Sequence, residues 1–188
     1  MKRRLLVLCI VLAGCQASPE EPISTRNGTL VEPSEPPADA AAIAGLLRAR
    51  HVEDLPSAED LAKYPTAEAS LRHLALAGSS MVVRTRALML LQHFGSEETG
   101  ALLEGIVRDP DSHPALRAAA VNGLAGQPLD DRAELRALVV GALHDTDPRV
   151  GLAAVDTLGR SPKGRYELGH ALKRADLPKP VRAAIEAR

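Results

Sequence analysis

The stretch DPRVGLAAVDTLG, residues 147–159, decides the fold. Its Val150, Ala154 and Leu158 are spaced by four and so fall on one face of a helix. Pro148 brings a backbone already suited to a first helical turn, and Gly159 stands where the helix would stop. The layout recurs. Val83-Arg84-Thr85-Arg86-Ala87, Leu116-Arg117-Ala118-Ala119-Ala120 and Val181-Arg182-Ala183-Ala184-Ile185 align with Val150-Gly151-Leu152-Ala153-Ala154, their starts 33, 34 and 31 residues apart. The first three continue to Leu91, Leu124 and Leu158, and then to Gly95, Gly126 and Gly159. A second apolar helix is predicted before each, over 69–77, 99–107, 133–143 and 166–173, with Asp- or Pro-bearing turns between. A two-helix unit of this length cannot bury its apolar face alone; stacked neighbours must supply the core.

Composition agrees. The 188 residues, 45% hydrophobic and 25% charged, suit one ordinary domain. There is no Trp, one Phe (Phe94) and two Tyr (Tyr64, Tyr166), so the core must come from Leu, Val and Ala. Ala is the best helix former and lets helix axes approach closely, which predicts an all-α fold. Formal charge is −1, and about −4 once Lys2, Arg3 and Arg4 are removed with a leader, which argues against a nucleic-acid module. The two cysteines are Cys9 and Cys15, so the folded part has no thiol for a disulfide or a metal.

At this period, tetratricopeptide units would need large aromatic residues, which the chain lacks. Residues 147–159 and LRAAAVNGLAG (116–126) resemble the second helix of HEAT repeats, whose pattern is roughly Asp-Pro-x-Val-Arg-x-x-Ala-x-x-x-Leu-Gly. The resemblance covers residues 66–188 and implies a right-handed α-solenoid of about four HEAT-like two-helix repeats. Residues 39–65 then form an N-terminal helical cap or degenerate repeat, with a helix over 40–50 and a short one over 58–63 behind Ser57 and Asp60. The family also stacks a turn Asp on an Arg of the second helix. That implies the pairs Asp111/Arg117 and Asp176/Arg182, with the ladder interrupted by Gly78 before Arg84 and by Gly151 after Asp145.

Residues 1–15 read MKRRLLVLCIVLAGC: three cations, a short apolar run, then Leu12-Ala13-Gly14-Cys15. The run is far shorter than the roughly 20 residues that span a bilayer. The ending resembles the bacterial lipobox, which implies a lipoprotein signal peptide over 1–14 and a membrane anchor through lipid on Cys15. Gln16, where Asp would mark inner-membrane retention, points to the outer membrane, facing the periplasm. Residues 15–38 are Pro-, Ser- and Glu-rich and read as a disordered tether, with ends on the order of 25 Å apart as a coil.

No catalytic set emerges. The six histidines (His51, His73, His93, His113, His144, His170) never pair at metal-ligand spacing. They read as solvated or capping residues. The glycines are spaced as helix stops, and Glu97-Glu98 and Asp130-Asp131 suit helix N-termini. No metal, cofactor or enzymatic activity is expected. The face opposite the Val/Ala/Leu stripe carries Arg86, Met89 and Gln92, then Ala119 and Asn122, Ala153 and Asp156, and Ala184. In a HEAT array this face lines the concave groove, so Arg86, Met89, Gln92, Asn122 and Asp156 are candidate protein-binding residues; the same positions also read as ordinary surface. The leading expectation is a lipid-anchored, non-catalytic protein-binding scaffold in the cell envelope. Bilin lyases, some with related repeats, offer an enzymatic alternative that the shortage of aromatic, Cys and His pocket residues disfavours. A structural, peptidoglycan-associated lipoprotein is the third.

Overall fold

The computed structural model describes residues 35–48, 55–174 and 176–188. The signal segment 1–14, Cys15, the tether up to residue 34 and His51 lie outside the described residues. Those described are helical, with no strand among them. Two helices lead, α1 (Ala40–Leu47) and α2 (Ala58–Leu61). Four pairs follow: α3 (Ala67–Ala77) with α4 (Met81–Leu90), α5 (Glu97–Arg108) with α6 (Pro114–Gly123), α7 (Ala133–Ala142) with α8 (Pro148–Gly159), and α9 (Pro162–Ala171) before α10 (Lys179–Glu186). Observed ends differ from the expected ones by a few residues. At the N-termini of α5 and α9, Ser and Pro start the helix before the apolar period begins.

The starts have local causes. Ser57 and Asp60 form the expected capping box, each accepting the other's backbone N–H at 3.2 Å. Ser80, Ser96, Ser161 and Asp147 cap α4, α5, α9 and α8 through their side chains. Pro114, Pro148 and Pro162 occupy first helical positions, where no N–H is missed. Asp39, at the head of α1, accepts both the backbone N–H and the hydroxyl of Thr66 at 2.8 Å. That joins the start of α1 to the start of α3.

Helices pair with their neighbours in sequence (α3 on α4, α5 on α6, α7 on α8), and every second helix also packs on the next: α4 on α6, α6 on α8, α8 on α10. α1 lies on α3 and α4. The aligned positions form the core between them. Val83, Ala87 and Leu91, Leu116, Ala120 and Leu124, Val150, Ala154 and Leu158, and Val181 and Ile185 are all buried. Each Val or Leu of this set contributes about 1.5–3 kcal/mol by leaving water. Inside the layer the Thr157 hydroxyl donates to the Val121 carbonyl at 2.9 Å, so a polar group there is satisfied.

Gly159 ends α8 as expected, though not through a left-handed turn. No described residue has positive φ. After α4 and α6 the chain tightens into 3-10 turns over Leu91–His93 and Leu124–Gly126 instead. The glycines serve close approach. A Cβ on Gly126 would collide with the backbone of Gln92, and one on Gly151 would lie 2.5 Å from Cγ2 of Val181. Gly151 is thus where α10 rests on α8, and the Arg found there in the three other aligned units would not fit.

Gly151→Ala is therefore expected to cost about 1–3 kcal/mol in chemical denaturation, as overpacked cores do. Adding Val181→Ala should make the pair cost less than the sum of the two single changes. Strict additivity would refute the contact.

Candidate functional site

The candidate binding residues are held in different ways. Arg86, on α4, donates to the Leu47 carbonyl at 2.8 Å and so ties α4 to the end of α1. Gln92, in the turn after α4, accepts from Arg160 Nη1 at 2.9 Å, a link between residues 68 apart in sequence. Asp156 is exposed on α8 and pairs with Arg188. Met89 is half-buried against the core, and Asn122 is half-buried on α6. Ala119 and Ala153, expected on an open groove, are buried where α4, α6 and α8 meet. The stripe opposite the Val/Ala/Leu face is thus partly interior: each middle helix has a neighbour on both sides.

The titratable groups find structural roles. His113 caps α6, its Nδ1 accepting from Ala115 N at 3.1 Å. His144 lies 3.6 Å from Asp176, and His170 packs against the ring of Tyr166, centroids 4.4 Å apart. His73 departs from the expected helix-end or exposed setting, being half-buried within α3. Glu97 and Glu98 lie in the first turn of α5, as expected. Asp130 acts on another helix than the one it precedes, accepting from the backbone of Lys163 in the first turn of α9 at 2.9 Å. Among the described residues no three His, Cys, Asp or Glu side chains are grouped to hold a metal ion.

The Asp–Arg ladder takes a different form from the expected one. Arg84 donates to the Ala75 carbonyl at 3.0 Å, Arg117 to those of Pro110 and Ser112 at 3.0 and 3.3 Å, and Arg182 to those of Leu172 and Arg174. Arg84 and Arg182 satisfy carbonyls at the exit of the preceding helix, which helical geometry leaves open, whereas Arg117 takes carbonyls of the turn beyond α5. Arg117 also reaches the next unit, 2.8 Å from Asp145, with side chains only 10% and 17% exposed. Its Nε is buried without a partner. Asp176 pairs with Arg174 at 3.0 Å, which holds its carboxyl below the ordinary value.

A second polar centre joins α3 to α5. Glu68 accepts from Thr99 at 2.6 Å and from Ser96, with Arg72 3.5 Å away. Burial pushes its carboxyl up, but the Ser96 and Thr99 hydrogen bonds and the Arg72 charge outweigh it and hold the carboxyl below the ordinary 4.5. Further along, Glu104 pairs with Arg132 at 2.7 Å and Arg136 lies 3.6 Å from Glu167.

The sequence reading missed the exposed apolar side chains at the corner where α3 turns into α4. Leu76 is 59% and Val82 52% exposed, with Met81 beside them. The available signal was Val82, an apolar residue next to the buried Val83 where aligned units carry Ala115, Arg149 and Pro180. Near the same corner Arg48, after α1, reaches Ser79 at 3.5 Å.

No protein-family model matches the chain, and a search of curated proteins finds no match either.

Asp145→Ala should destabilise the domain by about 3 kcal/mol, because it leaves the Arg117 charge buried and unpaired. Arg117→Met with Asp145→Leu should cost less than that single change, and a double variant that unfolds at lower denaturant would refute the assignment. Glu68→Gln should lower stability at pH 7. A depressed carboxyl stabilises above its unfolded value and loses that contribution as pH falls through its folded one. The gap between variant and parent should therefore close below about pH 4 in thermal melts.

Proposed function

We propose that the chain is a bacterial lipoprotein, anchored through lipid on Cys15, whose folded part is a non-catalytic protein-binding scaffold in the cell envelope. The observation that carries the reading is the N-terminal order of features: Lys2-Arg3-Arg4, a short apolar run, then Leu12-Ala13-Gly14-Cys15. Gln16 favours the outer membrane, with the domain facing the periplasm. On this reading residues 15–38 are the tether, and no helix among the described residues is long and apolar enough to cross a membrane.

We read the helical pairs as a right-handed HEAT-like α-solenoid of about four units behind an N-terminal cap. The aligned buried positions and the packing of every second helix on the next support this. Such arrays bind proteins along their surfaces. The exposed Leu76, Met81 and Val82 are the apolar contribution to that contact, since apolar side chains without cover at one corner favour a partner. Met89 and Asn122 remain the binding candidates with the fewest internal ties, while Arg86, Gln92 and Asp156 already have partners within the domain.

Cys15→Ser should abolish metabolic labelling with radioactive palmitate and move the protein from the membrane to the soluble fraction, with its helical circular dichroism unchanged. Persistent membrane attachment of that variant would overturn the anchor. Purification from detergent-solubilised membranes should recover one stoichiometric protein, lost in Leu76→Asp with Val82→Asp. Retention on isolated peptidoglycan without any protein partner would sink the scaffold.

A further inference from the structure

The charge of the chain is unevenly placed. Over the whole sequence 23 Lys and Arg stand against 24 Asp and Glu, yet residues 160–188 hold eight against three. These residues form α9 and α10. Arg160, Lys163, Arg165, Lys173 and Lys179 are all exposed, and none has a carboxylate of a described residue within ion-pairing distance. Lys163 lies against Asp130, donating its backbone N–H to the carboxylate and its Nζ to the carbonyl, while the Arg165 side chain donates only to the Gly159 carbonyl.

Beside Arg165 the surface is apolar. A cavity of about 460 Å³ opens between the end of α8, α9 and α10, floored by Leu168, Leu172 and Ile185 and rimmed by Arg165 and Arg188. Gly169 borders it, and a Cβ there would meet open space. On α9, Tyr166 is 67% exposed, its ring against His170. Cations, an open apolar hollow and an exposed tyrosine suit one environment, the boundary between phosphate headgroups and acyl chains. There Lys and Arg meet phosphate while aromatic rings sit at headgroup depth. An acidic protein surface would match the charge but leave the hollow and the ring unused.

We propose that the α9–α10 end docks on an anionic phospholipid leaflet. The phosphates lie against Arg165, Lys173 and Lys179, and the cavity takes the apolar part of a lipid. This goes beyond the lipid anchor and does not depend on it, since it concerns the surface of the folded domain. Each cation brought to an anionic leaflet strengthens binding roughly fivefold.

The test uses the mature chain, residues 15–188 with Cys15→Ser, which carries neither lipid nor the cationic apolar segment 1–14, in flotation with vesicles of phosphatidylglycerol and phosphatidylcholine at 50 mM salt. Co-flotation is expected, falling at least tenfold in Lys173→Glu with Lys179→Glu and falling again when salt is raised to 300 mM. Lys173→Gln with Lys179→Gln should move the same way by less. Arg48→Glu with Lys63→Glu, the same charge change at the other end, should leave flotation near the parental level, and circular dichroism confirms that each variant is folded. Equal flotation on vesicles of phosphatidylcholine alone would overturn the proposal. So would equal loss from the two pairs of reversals, which would mean net charge alone, or no flotation at all, which would point to an acidic protein as the partner of this end.

Discussion

Close approach of every second helix is the constraint on which the rest of the domain depends. A chain with one Phe and no Trp cannot fill wide gaps between helices, so its core forms only where axes come near. Ala87, Ala120 and Ala154, all fully buried, supply short side chains at the middle of α4, α6 and α8. Gly123, Gly126 and Gly151 go further, since a Cβ at any of them would strike the neighbouring helix or turn. The large residues of the stripe then interdigitate around these thin points. Enlarging a thin point pushes apart two helices that share most of their burial with each other.

The other set of helices is held by different forces. α3, α5, α7 and α9 touch one another lightly, and polar links mark the joints: Glu68 with Thr99, Glu104 with Arg132, Glu167 with Arg136, Asp130 with Lys163. Each of these links has a part-buried member, and each contributes modestly on its own. Their value is directional, because a hydrogen bond fixes an angle and a register that apolar contact leaves loose. The domain thus divides its labour. Small apolar residues on one set of helices set how near the units stand, and polar residues on the other set how they are turned.

Much of this was legible in the residues. The spacing of Val150, Ala154 and Leu158, repeated in three other places, named the buried face of each second helix, and Ser57 with Asp60 named a cap. Such features depend only on local period and on side chains a few residues apart. What was not legible involves partners about thirty residues away or more. The family resemblance pairs Arg117 with its own turn, whereas its fork also spans to Asp145 of the next. The spacing reads Gly126 and Gly159 as helix stops; Gly159 does end α8, but sequence does not show that Gly126 lies against the backbone of Gln92. The spacing places Ala119 and Ala153 on an open groove because a single helix has two faces, whereas a helix with neighbours on both sides buries more than one. Of the binding candidates, the spacing gave their positions. That Arg86, Gln92 and Asp156 would be occupied internally depended on where Leu47, Arg160 and Arg188 came to rest.

The hydrogen bond from Arg160 to Gln92 reaches past the intervening turn at Leu124–Gly126. Repeated units commonly gain or lose members during descent, since each needs only its neighbours. This link opposes such change. One extra pair of helices between α4 and α8 would shift the two residues apart by the width of a helix, about 8–10 Å, and no side-chain adjustment closes that gap. A unit inserted in the middle of the chain would therefore forfeit this hydrogen bond, about 1 kcal/mol, whereas a unit added at an end would not.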